Sequence, residues 1–181
     1  MKQKIIIFMA SLLLLAGCTL ISSAAAPKRV VEDMLGKYQT LDADVLTQLD
    51  DVIANENLTT TQASDYKELM RKQYQNLTYT IKDEAIDGDT AVVTVEIEVY
   101  DLAKASKEAE SYAAEHEDEF LDEAGAASDT LYQDYKISKL KAVTDRVKYT
   151  LELGLTKTNN EWKLDDLSDA ERQKIHGLYN L

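Results

Sequence analysis

LTYTIKDEAIDGDTAVVTVEIEVY, residues 77–100, carries the clearest secondary-structure signal of the chain. Apolar side chains take every second position on both sides of its centre, at Leu77, Tyr79 and Ile81 and then at Val93, Val95, Ile97 and Val99. Asp87 and Gly88 between these runs are typical of a tight turn, because glycine accepts a positive φ. The period of two therefore predicts antiparallel strands over 77–86 and 90–101, with one buried and one wet face.

A second hairpin is predicted near the C-terminus. Apolar residues alternate again along a strand over 146–158, at Val147, Tyr149, Leu151, Leu153 and Leu155. Asn159 and Asn160 are typical turn residues, so the chain is expected to reverse there. The returning strand covers 161–166 and carries Trp162 and Leu164.

Helical spacing of apolar residues predicts helices around both hairpins. They cover residues 27–41, 42–55, 61–75, 102–143 and 169–179. Pro27 suits the first turn of a helix, and Asp42 is a typical N-cap. Thr60 or Thr61 is expected to cap the third helix. The long middle helix, 102–143, is expected to kink or split near Gly125.

Every predicted strand has one apolar face, so the sheet needs a cover on that side only. Helices packed on one face of an antiparallel sheet define an α+β domain. We therefore predict a single α+β domain over 27–181. Its N-terminal helices and its long middle helix are expected to pack on one face of a curved four-stranded antiparallel sheet.

Residues 1–17 have the features of a bacterial secretory signal. Lys2 and Lys4 give a positive start, and an apolar run from Ile5 to Leu15 follows. That run is shorter than the roughly 20 residues that a membrane-spanning helix needs. A signal peptide is therefore predicted in place of a transmembrane segment.

A segment that resembles a lipoprotein processing site follows the apolar run. This segment is similar to the lipobox of bacterial lipoproteins and consists of Leu15, Ala16, Gly17 and Cys18. In such proteins the chain is cut before the cysteine, and the thiol takes a diacylglyceryl group. Cys18 is the only cysteine, so lipidation explains why an exported chain carries one unpaired thiol. The sequence thus predicts a lipid-anchored protein on the extracytoplasmic face of the cell membrane, with 18–26 as a tether.

The chain is acidic. Its formal net charge is −13, and it becomes −15 when Lys2 and Lys4 leave with the signal peptide. A surface of that sign repels nucleic acid, so no nucleic-acid partner is predicted. A solvated acidic surface is the simplest interpretation, and attraction of a cationic partner is the alternative.

The sequence contains no recognisable catalytic, cofactor or metal-binding motif. The two histidines, His116 and His176, lie on different predicted elements. His116 stands among acidic residues and is expected to face solvent, while His176 is expected to favour the end of its helix as a cation. No catalytic residue, metal ligand or cofactor is therefore assigned from the sequence.

Tyrosine is unusually frequent, with ten residues against two phenylalanines. Five aromatic residues fall at predicted core-facing positions and are the candidate lining of a ligand cleft: Tyr38, Tyr74, Tyr79, Tyr149 and Trp162. Core packing, with the hydroxyl groups at the rim, is the alternative interpretation of the same residues.

The order of the elements resembles a known architecture. The residues that carry the likeness are the lipobox, PKRVVEDMLGKYQTLD at 27–42, the strands that end at Tyr100, and EWKL at 161–164. Together they are similar to the cystatin-like domain of the nuclear-transport-factor-2-like superfamily, and to small lipoproteins of Gram-positive bacteria that carry it. The resemblance implies a cone between sheet and helices. The segment 102–143 is longer than the usual helix of such domains, which is typical of an insertion that fills or lids the cone.

The predicted function is a non-enzymatic, membrane-anchored module that binds a small ligand, a peptide or an envelope protein. The resemblance leaves a small-cavity enzyme of the isomerase or dehydratase type as the alternative. Such an enzyme needs a deep pocket in which a buried acid or histidine faces a tyrosine hydroxyl. A structural spacer, the third possibility, would have its cone filled by side chains.

Overall fold

The computed structural model describes residues 26–181. Within that range the elements are α1 (Pro27–Thr40), α2 (Ala43–Ala54), α3 (Thr60–Gln75), β1 (Thr78–Asp87), β2 (Thr90–Tyr100), α4 (Leu102–Glu115), α5 (Asp129–Lys141), β3 (Arg146–Thr158), β4 (Glu161–Leu164) and α6 (Asp169–His176). The predicted signal peptide, the lipobox and most of the tether lie outside the described residues. None of the helices in the described part is long and apolar enough to cross a membrane.

The strands form an antiparallel sheet in the order β1-β2-β3-β4. Their alternation sets which side chains face the helices: Val93 pairs with Leu153, and Val95 pairs with Leu151. All four side chains are at most 1% exposed. Because α1 and α6 contact this sheet and the helices cover its apolar face, the α+β prediction is confirmed.

β1 contains a bulge that changes which face its side chains occupy. The register of β1 against β2 shifts between Ile81 and Asp83. Beyond the shift Glu84 pairs with Val93, which places Glu84 on the inner face of the sheet. Its Oε1 accepts a hydrogen bond of 2.8 Å from the backbone N–H of Lys28. The bulge therefore brings a carboxylate to the first turn of α1, where the helix dipole favours it.

The core lies between the inner face of the sheet and the helices. Its fully buried members include Val31 and Leu35 from α1, Met70 from α3, Ile97 from β2 and Ile175 from α6. Val31 and Leu35 stand four residues apart, so they share one face of α1. Burying an aliphatic side chain of this size stabilises the fold by roughly 1.5–3 kcal/mol.

Two N-terminal helix boundaries differ from the predicted ones. Leu41, predicted inside the first helix, is its C-cap and has a φ of 54°. The third helix is capped by Thr59, so the expectation of Thr60 or Thr61 is wrong. The Thr59 hydroxyl accepts from the backbone N–H of Gln62 at 3.2 Å, and the Gln62 side chain accepts from the backbone N–H of Thr59 at 2.9 Å. This reciprocal capping box is the reason for the earlier start.

Two C-terminal elements are shorter than predicted. α6 ends at His176 because Gly177 takes a left-handed conformation with a φ of 72°. β4 ends at Leu164, and the next residue turns its side chain toward β3. The Asp165 carboxylate accepts from the Thr156 hydroxyl at 2.9 Å, which directs the chain away from the strand.

The predicted helix 102–143 consists of separate pieces. α4 is followed by a 3-10 helix, Glu117–Phe120, and α5 begins only at Asp129. Ser128 caps α5, because its hydroxyl accepts from the backbone N–H of Leu131 at 3.3 Å.

A tight loop before α5 reverses the chain. Asp122 Oδ1 accepts from the backbone N–H groups of Ala124 and Ala126, each at 2.9 Å. Gly125 lies between them with a φ of 76°. As a result α4 and α5 pack against each other, and α5 also packs against α3. This helical hairpin, residues 102–141, is called the arm below.

Candidate ligand-binding cavity

A cavity of about 70 Å³ lies beside the C-terminal end of α1. Its walls come from α1, α2, α3 and α6 and from the segment that follows β4. Apolar side chains such as Leu49 and Met70 line it, together with polar groups of Tyr38, Tyr74 and His176. Small-molecule sites typically combine an apolar cleft with a few convergent polar groups, and this cavity has both.

Two tyrosines and a histidine from three different helices meet at the cavity. The rings of Tyr38 and Tyr74 contact each other edge to face, with centroids 5.0 Å apart and planes at 73°. The Tyr74 hydroxyl lies 3.3 Å from Nε2 of His176. A buried phenol needs a hydrogen-bonding partner, so this contact fixes how α3 and α6 meet.

Burial sets the protonation state of His176. It lowers the pKa of the ring to about 4, and the positive charge of Arg172 acts in the same direction. The ring is therefore neutral near pH 7. Its centroid lies 5.7 Å from that of Tyr74. The interpretation of His176 as a cation at the end of its helix is wrong, because the ring packs into the protein.

Gln73, a buried residue of α3, fixes the backbone at His176. Its Nε2 donates to the carbonyl oxygens of Tyr100 at 3.1 Å and of His176 at 3.0 Å. Its Oε1 accepts from the backbone N–H of Tyr100 at 3.0 Å. Gly177 packs so closely that a Cβ there would lie 2.3 Å from Gln73 Nε2. The histidine is thus positioned by α3 and by the end of β2.

Charges of opposite sign act on the tyrosines. Burial raises the pKa of Tyr38 to about 12, and the positive charge of Arg172 opposes that rise. Burial also raises the pKa of Tyr66, and the negative charge of Glu56 adds to it. The pKa of Tyr74 is raised as well, mainly by burial. All three phenols are therefore neutral hydrogen-bonding groups near pH 7.

The cation of the cavity wall is Arg172 of α6. Its Nη1 donates to the backbone carbonyl of Leu167, and its Nη2 donates to the Asp169 carboxylate at 2.7 Å. Its Nε is buried and has no hydrogen-bond partner among residues 26–181. Since a guanidinium carries five N–H donors, part of its hydrogen-bonding capacity is uncommitted.

The structure brings together two of the five aromatic residues predicted to line a cleft. Tyr38 and Tyr74 line the cavity, while Tyr79, Tyr149 and Trp162 are not among its lining residues. The spacing of apolar positions identifies the inner face of each element. It does not show which positions along that face meet at one end of the domain.

The other three aromatic residues are half-buried against the core. Tyr79 lies on β1, and burial raises its pKa. The Tyr149 ring lies 5.7 Å from that of Tyr179, in an edge-to-face contact. The Lys157 ammonium lies 5.6 Å from the centre of the Trp162 ring. These rings therefore act as packing groups at the margin of the core.

The sequence contained a partial signal for the residues that were missed. Tyr66, Met70 and Tyr74 recur every four residues along α3, which places them on one helix face. Nothing in the sequence placed Arg172 or His176 beside that face, because His176 follows Tyr74 by 102 positions.

The second histidine lies in an aromatic cluster of the arm. His116 stacks on Tyr112 with centroids 4.0 Å apart and planes at 13°. Tyr112 also stacks on Tyr135, at 5.0 Å, and Phe120 packs edge-on against Tyr135, at 5.3 Å. In the part of the chain that the structure describes, no three His, Cys, Asp or Glu side chains are grouped for a metal ion.

Comparison with known proteins identifies no family. No protein-family model and no curated protein matches the sequence. The structure is similar to the crystal structure of a candidate lipoprotein, YcdA, from Bacillus subtilis, with 13% identity and a TM-score of 0.40. The alignment covers 87% of this chain and 48% of that chain, so this chain spans about half the length of the structure it matches.

Proposed function

We propose that the chain is a membrane-anchored extracytoplasmic lipoprotein whose domain binds a small ligand in the cavity beside Tyr38 and Tyr74. The observation that carries the binding role is the cavity itself, where a neutral histidine, an arginine and three phenols line an apolar cleft. The order of helices and hairpins also supports a cystatin-like architecture.

The proposed anchor and the cavity lie at different ends of α1. The tether would enter the domain at Pro27, whereas Tyr38 stands in the last turn of the same helix. At 1.5 Å per residue, these positions are about 17 Å apart along the helix axis. A lipid on Cys18 would therefore hold the N-terminal end of α1 nearer the membrane and leave the cavity accessible.

Binding fits the chemistry of the cavity better than acid–base catalysis does. A general acid or base works best when its pKa lies near the operating pH. The pKa of His176 is about 4, so its ring is a weak base at pH 7. The pKa of Tyr74 is raised above its usual value, so its phenol is a weak acid. Both groups are suited to hydrogen-bond a ligand without exchanging protons with it.

The contact between Tyr74 and His176 also favours a second candidate function. A histidine that faces a tyrosine hydroxyl is what an isomerase or dehydratase of this architecture would need, and the two groups are 3.3 Å apart. An enzyme of that class would exchange an α-hydrogen of a bound carbonyl compound for deuterium in D₂O. A binding module would return the compound unchanged, and proton NMR of the recovered compound distinguishes the two.

The anchor is tested by replacing its nucleophile. Cys18→Ala is expected to give a chain that takes up no alkyne-labelled fatty acid and is not processed at the lipobox. Growing cells with the labelled fatty acid and detecting the protein on a gel measures both properties. Labelling of the Cys18→Ala chain as strongly as the natural chain would refute lipidation at this residue.

The binding role is tested by filling the cavity. Val52 lines the cavity, whereas Val92 is exposed on the outer face of the sheet. Val52→Phe should abolish the NMR shifts that small fragments cause at Tyr74 and Met70, and Val92→Phe should leave those shifts unchanged. A fragment collection that shifts no lining residue, or that binds Val52→Phe unchanged, would exclude this cavity as the site.

A further inference from the structure

We propose that the cavity recognises its ligand by a carboxylate group that pairs with Arg172, so that the ligand is a short-chain monocarboxylate. This inference rests on the proposed binding function and names the ligand class for the same site. It is carried by the hydrogen bonds of Arg172, by the placement of charges around the cavity and by the size of the cavity.

The hydrogen bonds of Arg172 leave a donor for a ligand. Nη1 donates to Leu167 and Nη2 to Asp169, and because each Nη carries two N–H groups, one N–H of each has no acceptor within residues 26–181. A carboxylate can accept two parallel bonds from one guanidinium, which makes it the acceptor that fits best.

Each acidic residue of the cavity lining acts on another part of the cavity, has another partner or is exposed to solvent. Glu56 raises the pKa of Tyr66 and therefore acts on that side of the cavity. Asp165 accepts from the Thr156 hydroxyl at 2.9 Å. Asp166, the remaining acidic residue of the lining, is exposed to solvent, which screens its charge.

Arg172 is the positively charged residue of the lining, and the Asp169 carboxylate that pairs with it at 2.7 Å is not among the lining residues. Arg172 lowers the pKa of His176 and opposes the rise in the pKa of Tyr38, so its charge reaches both groups. The Tyr74 hydroxyl lies beside the same histidine. An anionic group placed there would have a cation and a neutral phenol within the same cleft, and both favour it.

The size of the cavity limits the rest of the ligand. Its volume of about 70 Å³ corresponds to roughly five water-sized groups. The remaining wall is apolar, with Leu49 and Met70 among its residues. A carboxylate with a short aliphatic chain, of the size of butyrate, fills that volume and leaves the apolar wall in contact with methylene groups.

The test compares three probes of equal length on the full domain: butyrate, butyramide and butylammonium. Titration followed by NMR at Tyr74 and His176 gives a dissociation constant for each probe at pH 7. Butyrate is expected to bind at least about tenfold more tightly than butyramide, which corresponds to one charge-assisted hydrogen bond. Butylammonium is expected to bind most weakly. Equal binding of butyrate and butyramide would overturn the carboxylate assignment and leave the binding function standing.

Two variants sharpen the result. Arg172→Gln should remove the preference for butyrate over butyramide, because it removes the positive charge. Asp169→Asn is the matched control, since it takes away the ion pair of Arg172 but keeps the guanidinium, and it should keep the preference or increase it. A preference that survives Arg172→Gln would overturn the assignment. If none of the three probes binds but other fragments do, the carboxylate assignment is refuted and the proposed binding function stands. If no fragment binds at all, the proposed binding function is refuted as well.

Discussion

Each of the two histidines contacts a tyrosine, but the two pairs are built differently. His176 reaches Tyr74 across 102 positions of the chain, and Tyr74 is only 3% exposed. His116 stacks on Tyr112 within one turn of the arm, and its Nδ1 lies 2.9 Å from the Tyr112 carbonyl oxygen. The first pair joins distant elements in the core, and the second belongs to a local cluster outside the main core cluster.

The comparison shows where the stability of this domain is concentrated. The main cluster of buried residues contains Tyr38, Tyr66 and Tyr74, whereas Tyr112 and Tyr135 of the arm are outside it. Small satellite clusters of this kind open at a lower free-energy cost than the core to which they are attached. Leu102, Ala105 and Leu140 of the arm belong to the main cluster, so only the part of the arm around Tyr112 is expected to exchange its amide hydrogens before α3 and the sheet do.

The largest effect is expected from removing one ring of each pair. Tyr74→Ala should lower the free energy of unfolding by about 3–5 kcal/mol, because it leaves a cavity in the core and removes the partner of His176. Tyr112→Ala should cost less than half as much, since its ring is half-exposed. Chemical denaturation of both variants measures the difference. Equal losses would mean that the cluster around Tyr112 stabilises the domain as much as the core does.

A second pair of substitutions compares two glycines with similar backbone angles. Gly177 has a φ of 72° and Gly125 a φ of 76°, so alanine is strained at both positions by about 1–2 kcal/mol. A Cβ at Gly177 would also lie 2.3 Å from both Gln73 Nε2 and the Tyr100 carbonyl oxygen, whereas Gly125 has no atom within 4 Å of that point. Gly177→Ala should therefore lose about 2–4 kcal/mol in total, since each hydrogen bond of Gln73 contributes about 1 kcal/mol.

Gly125→Ala is the matched control, because Gly125 has a similar φ but no close contact around a Cβ. If Gly125→Ala and Gly177→Ala destabilise the domain equally, the close contacts of Gly177 with Gln73 and Tyr100 have no energetic role. Thermal unfolding followed by circular dichroism is sufficient to compare them.

The sequence predicted the fold better than the site, for a physical reason. Alternation along residues 77–100 identified the inward-facing side chains of β2, because a strand repeats every two residues. The register shift at Ile81 and Asp83 was not predictable from that pattern, since a bulge depends on the neighbouring strand. Tyr38 and Tyr74 were identified as candidate lining residues because they are aromatic residues on the apolar faces of their helices. Arg172 and His176 were not, because periodicity does not specify which helices meet.

A third prediction concerns pH. The pKa of His176 is about 4 in the folded chain, below its ordinary value of 6.5. Between these two values the unfolded chain binds the proton more readily, so stability falls as the pH drops from about 6.5 toward 4 and is unaffected by this group above pH 7. The slope is at most about 1.4 kcal/mol per pH unit, the value for one proton.

Comparison with a variant isolates the histidine from the carboxylates that titrate in the same range. The stability difference between the natural chain and His176→Gln should be constant from pH 7 to pH 8 and should shrink as the pH falls to 5. A difference that does not change between pH 7 and pH 5 would show that the ring is not held neutral in the folded chain.

The smallest effect is expected at the ion pairs that join the arm to α3. Lys141 Nζ lies 2.8 Å from Asp65 Oδ1 and 2.8 Å from Glu68 Oε2, and all three side chains are at least about a third exposed. Lys141→Met should change stability no more than an average surface substitution, because water and salt screen exposed pairs. Adding 1 M salt to the natural chain should remove the difference. A large loss in Lys141→Met would mean that the arm depends on these charges.

The bulge in β1 has a consequence for self-association. β1 stands at one end of the sheet order, so one side of its backbone is a potential template for a strand from another copy. The bulge interrupts the regular spacing that such a strand would need, and Lys82 and Asp83 add charge at the same point. If the chain is anchored in a membrane as proposed, copies would meet often in two dimensions, and the interrupted edge would disfavour the regular strand pairing from which fibrils grow.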